Sequence, residues 1–164
     1  MSEHVACRTA IEQLLADFFW RIDRRATHDI AELFTEDGHL ILPNLADGMQ
    51  TILTISGRAA LTRQWADRPA DLVSRHVFTN LHIRERSPYE AEGRSIGIGF
   101  RHTGPGLGLP QPVIVADHDD VYERGADGVW RFREKRISVV FIAPELLGGG
   151  GSRGGDAQHG GEAR

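Results

Sequence analysis

Between residues 9 and 26 the apolar positions are Ile11, Leu14, Leu15, Phe18, Phe19 and Ile22. This i, i+3, i+4, i+7 spacing predicts an amphipathic helix. Thr9 is a natural cap, and Glu12 three residues later completes a capping box. Asp23 falls at the edge of the apolar stripe, one turn beyond Phe19. That position leaves two readings open: a half-exposed surface carboxylate, or a carboxylate pointing into a cavity at the helix end. Residues 29–35 predict a shorter helix with Ile30, Leu33 and Phe34 on one face and Thr27 or Asp29 as its cap. Glu36-Asp37-Gly38 has turn chemistry. Residues 39–43 then read as a short strand, 44–50 as a loop and 51–55 as a second short strand. Helical spacing returns over 57–66 with Ala60, Leu61 and Trp65, and 68–71 break it.

From there the period changes to two. Residues 74–86 predict a strand with Val77, Thr79, Leu81 and Ile83 on one side and His76, Phe78, Asn80 and His82 on the other. The aliphatic set suits packing against a layer, and the mixed polar and aromatic set suits a pocket wall. His76 and His82 are roughly 20 Å apart along a strand, too far to serve one small site, so His82 is expected near the sheet end and exposed. Residues 90–102 form a further strand, with Ile96, Ile98 and Phe100 on one face. Gly97 and Gly99 lie on the other, where a curved sheet or a close neighbour needs small residues. A Gly/Pro loop (103–112), a strand (113–124), a hairpin turn (125–128) and a last strand (129–142) follow. Helices segregated from a run of antiparallel strands is the α+β arrangement. A strongly curved antiparallel sheet with the N-terminal helices across it encloses a cone-shaped central pocket of the kind that binds small molecules.

Composition narrows this without redirecting it. The chain of 164 residues suffices for one domain, assigned to 1–146. Residues 147–164 are Gly-rich with almost nothing to bury, and are expected to be a disordered tail or linker. The net charge of -4 with no long basic run argues against nucleic acid as a partner. Cys7 is the only cysteine, which excludes an intrachain disulfide, and it is expected to be a structural thiol near a frayed start. No basic segment followed by an apolar run opens the chain, and no apolar run is long enough for a bilayer, so a cytoplasmic protein with no membrane partner is expected. Asp117-His118-Asp119-Asp120 suggests metal at first sight. On a strand, however, it presents His118 and Asp120 on one face and Asp117 and Asp119 on the other, so no metal site is expected. His118 is better read as a second pocket imidazole, and Asp120 as pairing with a basic residue in the sheet. Trp20, Trp65 and Phe78 suit either pocket or core, and His39 reads as a surface imidazole.

Five stretches together resemble the SnoaL-like branch of the nuclear transport factor 2-like superfamily. They are residues 22–38 with LFTEDG, the GRAAL helix start at 57–61, RHVFTN at 75–80, VADHDD at 115–120 and GVWRFREKR at 128–136. The resemblance runs from about residue 11 to 141. It implies a cone-shaped α+β barrel with a deep pocket, usually in a homo-oligomer such as a dimer or trimer. In dehydratases and a dehydrochlorinase of this branch, an aspartate at the end of the first helix and a histidine on the first long strand form a dyad. Asp23 and His76 match those places, which favours the pocket-facing reading of Asp23.

What the resemblance implies is a cofactor-free lyase or isomerase acting on a small apolar or cyclic ligand. A neutral imidazole is a suitable general base near pH 7, and a carboxylate beside it fixes its tautomer. Asn80, Phe78, His118, Arg136 and Trp65 are the expected substrate contacts, Arg136 because the family often carries a basic residue there. The helper residues of the characterised enzymes differ: the dehydrochlorinase's lysine place holds Phe18, and the scytalone dehydratase tyrosine before the aspartate is Ile22. The alternative is a non-catalytic binding or assembly module, similar to the accessory subunits of ring-hydroxylating dioxygenases.

Overall fold

The computed structural model describes residues 3–66, 71–104, 106–108 and 111–147. The Gly-rich tail beyond Leu147, and parts of the predicted break at 68–71 and loop at 103–112, lie outside them. Helix α1 covers Glu3–Arg24. It begins earlier than Thr9 because nothing in Glu3–Ala10 breaks a helix, and Cys7 extends the Ile11 stripe back by one turn. Cys7 is therefore buried (6% exposed) and not frayed. Arg25, in the left-handed region (φ 63), ends the helix. The predicted second helix is a 3-10 segment, Thr27–Leu33, and its N-cap position is Ala26 and not the predicted Thr27 or Asp29.

Strand β1 spans Phe34–Pro43, β2 Ile52–Ser56, and helix α2 Arg58–Ala66. The long strands are β3 (Val73–Ser87), β4 (Glu90–His102), β5 (Ile114–Arg124) and β6 (Trp130–Ile142). They form one six-stranded curved, unclosed sheet in the order β2-β1-β6-β5-β4-β3. All neighbours are antiparallel except β1 and β6, which run parallel. The Glu36-Asp37-Gly38 run is not a turn but part of β1, where the pairing to β6 shifts between Phe34 and His39. A Cβ on Gly38 would lie 2.9 Å from the Phe132 carbonyl oxygen, so the close approach of β1 to β6 requires glycine there.

Helix α1 lies on one face of the sheet and buries Ile11, Leu15 and Phe18 against it. Phe18 is the hub: its ring makes edge-on contacts with Phe19 (5.3 Å), Phe132 (5.5 Å), Trp65 (5.9 Å) and Phe34 (6.2 Å). Such geometry adds to the area each ring already removes from water. On β4 the residues facing the helices are Ala91, Gly93, Ser95, Gly97 and Gly99, and the small side chains let the opposite layer come close.

Strand β3 departs from strict alternation. Its pairing to β4 shifts between Thr79 and His82, and Asn80 has φ 54. The extra residue reverses the phase. His76 and Phe78 face the helices as expected, but beyond the bulge it is Leu81 and Ile83 that pack against the core, while Asn80 and His82 are exposed. Val77, expected under a layer, is half-exposed on the open face. A left-handed Asn is tolerated, whereas a β-branched residue there is strained by about 1–2 kcal/mol. Asn80→Val is therefore expected to lower unfolding stability by that amount and Asn80→Gly to leave it nearly unchanged, as read from urea denaturation midpoints.

Candidate functional site

The last turn of α1 and the start of β3 meet at one carboxylate. Asp23 Oδ2 accepts the His76 backbone N–H at 2.8 Å. Asp23 Oδ1 accepts the Ser74 hydroxyl at 3.0 Å and lies 2.6 Å from His76 Nδ1. The Asp23 side chain is only 9% exposed and that of His76 22%. The carboxylate thus points inward. Burial alone raises its pKa, but the hydrogen bonds and charge of His76 and the Ser74 hydroxyl outweigh that, and its carboxyl sits below the ordinary value of 3.8. An ionised carboxylate only accepts, so the His76 Nδ1 that faces it carries a proton, and in the neutral form of the ring the lone pair lies on Nε2.

His76 faces a cavity of about 140 Å³ under α1. Phe19, Ile22, Leu42, Trp65 and Ile137 supply much of its apolar wall. Its polar side chains are His76, His118 and the exposed Gln64. Phe19 stacks on the His76 ring at 5.4 Å and lies 5.8 Å from His118, so the two imidazoles share one aromatic neighbour.

His118 is held from beneath by a buried ionic group. Lys135 Nζ lies 3.2 Å from His118 Nδ1 and 3.0 Å from Asp120 Oδ2, and Tyr122 donates its hydroxyl to the same carboxylate oxygen at 3.0 Å. Lys135 and Asp120 are essentially inaccessible, at 0% and 1% side-chain exposure. The ammonium also sits 4.8 Å from the Phe132 ring centre and 5.0 Å from that of Phe18. Burial raises Asp120 and lowers Lys135, and their mutual attraction opposes both shifts. Burial first and the Lys135 charge second push His118 down to about 2, so its ring is neutral.

The structure brings together Asp23, His76, His118 and Trp65, and separates others. Phe78 stacks on Phe19 at 5.9 Å and supports that ring without lining the cavity. Asn80 is carried off by the β3 bulge to the exposed surface. Arg136 is on the open face, 46% exposed and paired with Glu134 at 3.0 Å. The reason is a second bulge: β5 pairs with β6 as Tyr122↔Phe132 but Val121↔Glu134, so an extra residue moves Lys135, not Arg136, to the helix-covered face. Counting alternation backwards from Ile137 would have found Lys135. Trp20 is 61% exposed under Arg24 and belongs to neither pocket nor core. His39 is half-buried and hydrogen-bonded to Ser56. Burial and the Glu85 carboxylate raise the Cys7 thiol to about 11, which keeps it protonated and unreactive. A roomier depression of about 380 Å³ includes His82, Arg84 and Arg94, but it is a surface groove whose arginines pair across it, as in Arg86–Glu92 at 2.6 Å.

The depressed Asp23 carboxyl has a signed consequence. Its stabilising contribution is complete above 3.8 and is lost as pH falls through the lower folded value. The stability advantage of the wild-type chain over Asp23→Asn is therefore expected at pH 6 and to disappear below that window, as measured by denaturant unfolding across pH.

No helix among the described residues is long and apolar enough to cross a membrane. Comparison with curated protein sequences finds no match. Solved structures match over most of the chain. A putative scytalone dehydratase from Novosphingobium aromaticivorans DSM 12444 aligns with TM-score 0.70 and 17% identity, over 98% of each chain. The hexachlorocyclohexane dehydrochlorinase LinA-type3 from Novosphingobium barchaimii LL02 aligns with TM-score 0.68 and 22% identity, over 86% of this chain and 91% of that one. The β subunit of a putative aromatic-ring-hydroxylating dioxygenase from N. aromaticivorans DSM 12444 gives TM-score 0.72 and 16% identity, over 89% of this chain and 98% of that one. At these identities the likeness is one of fold. The SnoaL-like domain matches residues 3–136, the span that holds both helices, β1 to β5, the first half of β6 and both imidazoles, and the chain belongs to that family.

Proposed function

We propose that this protein is a cofactor-free lyase or isomerase of small cyclic substrates, with His76 as general base and Asp23 as its orienting partner. The observation that carries this reading is the inward Asp23–His76 contact of 2.6 Å beside an apolar cavity. The carboxylate holds the ring with Nε2 unprotonated and stabilises the imidazolium formed when Nε2 takes a proton. An apolar wall excludes water, which strengthens each electrostatic contact inside it. Removing a proton beside a carbonyl or a leaving group is chemistry that such a pair performs without a cofactor. The fold shared with a putative dehydratase and a dehydrochlorinase supports the same class. The cavity of about 140 Å³ is close to the ~150 Å³ that accommodates benzene, so the ligand is one small ring.

A second reading rests on a different observation. Sheet register places Val77, Ile98, Val115 and Phe141 in one row across four strands of the open face. Val77 is 50% and Phe141 69% exposed. An apolar row of this kind suits assembly with another chain, and the likeness to a dioxygenase β subunit agrees with a binding or oligomer-forming module. Phe141→Asp is expected to reduce the molecular mass seen by light scattering if this face joins copies of the chain; an unchanged mass removes the self-association reading.

A thermal-shift screen of small monocyclic ketones and alcohols identifies ligands, since binding to the folded state raises its apparent stability. On a substrate so found, His76→Ala is expected to lower kcat by on the order of 10²–10⁴-fold with unchanged circular dichroism. Full activity of a folded His76→Ala variant would end the catalytic assignment.

A further inference from the structure

We propose that Lys135 is a positioning residue that locks His118 in the Nε2–H tautomer, so that the cavity holds one imidazole acceptor and one imidazole donor. The proposal extends the reading of His76 as base and rests on it for its chemical meaning. An ammonium has three donors and no acceptor. Lys135 Nζ faces His118 Nδ1 at 3.2 Å, so that nitrogen must accept, and the single proton of the neutral ring resides on Nε2. The ammonium form is supported by its neighbours: Asp120 Oδ2 receives both Lys135 and the Tyr122 hydroxyl, and two aromatic faces flank the charge. His76 is anchored in the opposite sense, because its Nδ1 meets a carboxylate. One ring therefore presents a lone pair and the other an N–H, both in contact with Phe19.

His118 Nε2 has no protein hydrogen-bond partner among the described residues, although the residue is only 4% exposed. Nε2 stands against the bare backbone of Gly97. A Cβ at that position would lie 2.6 Å from Nε2, so any larger residue would press on the nitrogen. An N–H of a ring that lines an apolar cavity and has no protein acceptor calls for an oxygen acceptor from the ligand. The pairing fits a small cyclic carbonyl compound. His76 Nε2 takes a proton from the carbon beside the carbonyl, the C–H electron pair moves toward the carbonyl oxygen, and His118 stabilises the resulting enolate by a hydrogen bond while keeping its own proton.

The test is long-range 1H–15N NMR on protein labelled with 15N-histidine, with the His118 signals assigned by their loss in His118→Gln. The expected result at pH 7 is a protonated Nε2 and an unprotonated Nδ1 whose 15N shift is displaced by an accepted hydrogen bond. A protonated Nδ1, an imidazolium, a tautomer mixture, or an Nδ1 shift typical of a nitrogen without a donor overturns the proposal in the wild-type protein alone. In the paired variant Lys135→Met with Asp120→Asn, which removes both buried charges together, a folded protein should show a His118 tautomer mixture; an unchanged Nε2–H tautomer overturns the role of Lys135. Addition of cyclohexanone should displace the His118 Nε2–H signal, and methylcyclohexane should not. No displacement by cyclohexanone at its solubility limit overturns the carbonyl assignment. The expected tautomers in a protein whose His76→Ala variant keeps full turnover would defeat the base assignment and leave the Lys135 role standing.

Discussion

The contact on which the site depends is the clamp on the Asp23 carboxylate. A carboxylate this little exposed is costly unless its lone pairs are used. Here the His76 backbone, the His76 ring and the Ser74 hydroxyl all converge on it. All three donors belong to Ser74 and His76, near the start of β3. The last turn of α1 is thereby tied to one register position on the sheet, and the ring orientation of His76 is fixed by the same bonds. Packing and chemistry are not separable at this point. A shift of the helix end would unseat the carboxylate, and a loss of the carboxylate would free the imidazole to turn.

Lys135 and Asp120 form a second polar centre deeper in the same layer. Desolvating two full charges is expensive, and a well-packed apolar pair of the same volume often serves stability as well or better. Asp120 keeps one oxygen with no partner among the described residues, so the group is not optimised for stability alone. What the ion pair supplies that an apolar pair could not is a fixed donor under His118 Nδ1. The surrounding rings of Phe18 and Phe132 offset part of the desolvation cost by facing the ammonium. The price of the pair makes most sense as the cost of orienting an imidazole.

The main outlines were legible because they follow from period and punctuation. The stripe from Ile11 to Ile22 gave α1, the 57–66 spacing gave α2, and the four long strands fall within a residue or two of their alternation and turn signals. The phase of β3 near its start put His76 on the pocket side, whereas the edge of the stripe left Asp23 open between surface and pocket until the family resemblance favoured the pocket. Errors entered where a bulge reverses phase. Asn80 and Arg136 each lie just past such a point, and the pattern alone carries no mark of it. The parallel pairing of β1 with β6 was equally hidden, since it joins segments from the two ends of the fold and has no local signature. Lys135 was missed for the same reason that Arg136 was chosen: one inserted residue exchanges their faces.

The size of the cavity follows from what stands on the bare backbone of β4. Gly97 and Gly99 could have left a deep hollow, but the His118 ring fills the space above the first and Ile114 that above the second, within 2.6 Å and 2.5 Å of where a Cβ would be. The glycines therefore admit a functional ring and a branched wall rather than empty volume. What remains holds little more than one ring, so selection by size is severe and selection by polarity must come from the two imidazoles. The fold is shared with proteins described as a dehydratase, a dehydrochlorinase and a dioxygenase subunit, and so it cannot by itself decide the chemistry. The discrimination lies in how each imidazole is anchored: by a carboxylate at His76, and by an ammonium at His118.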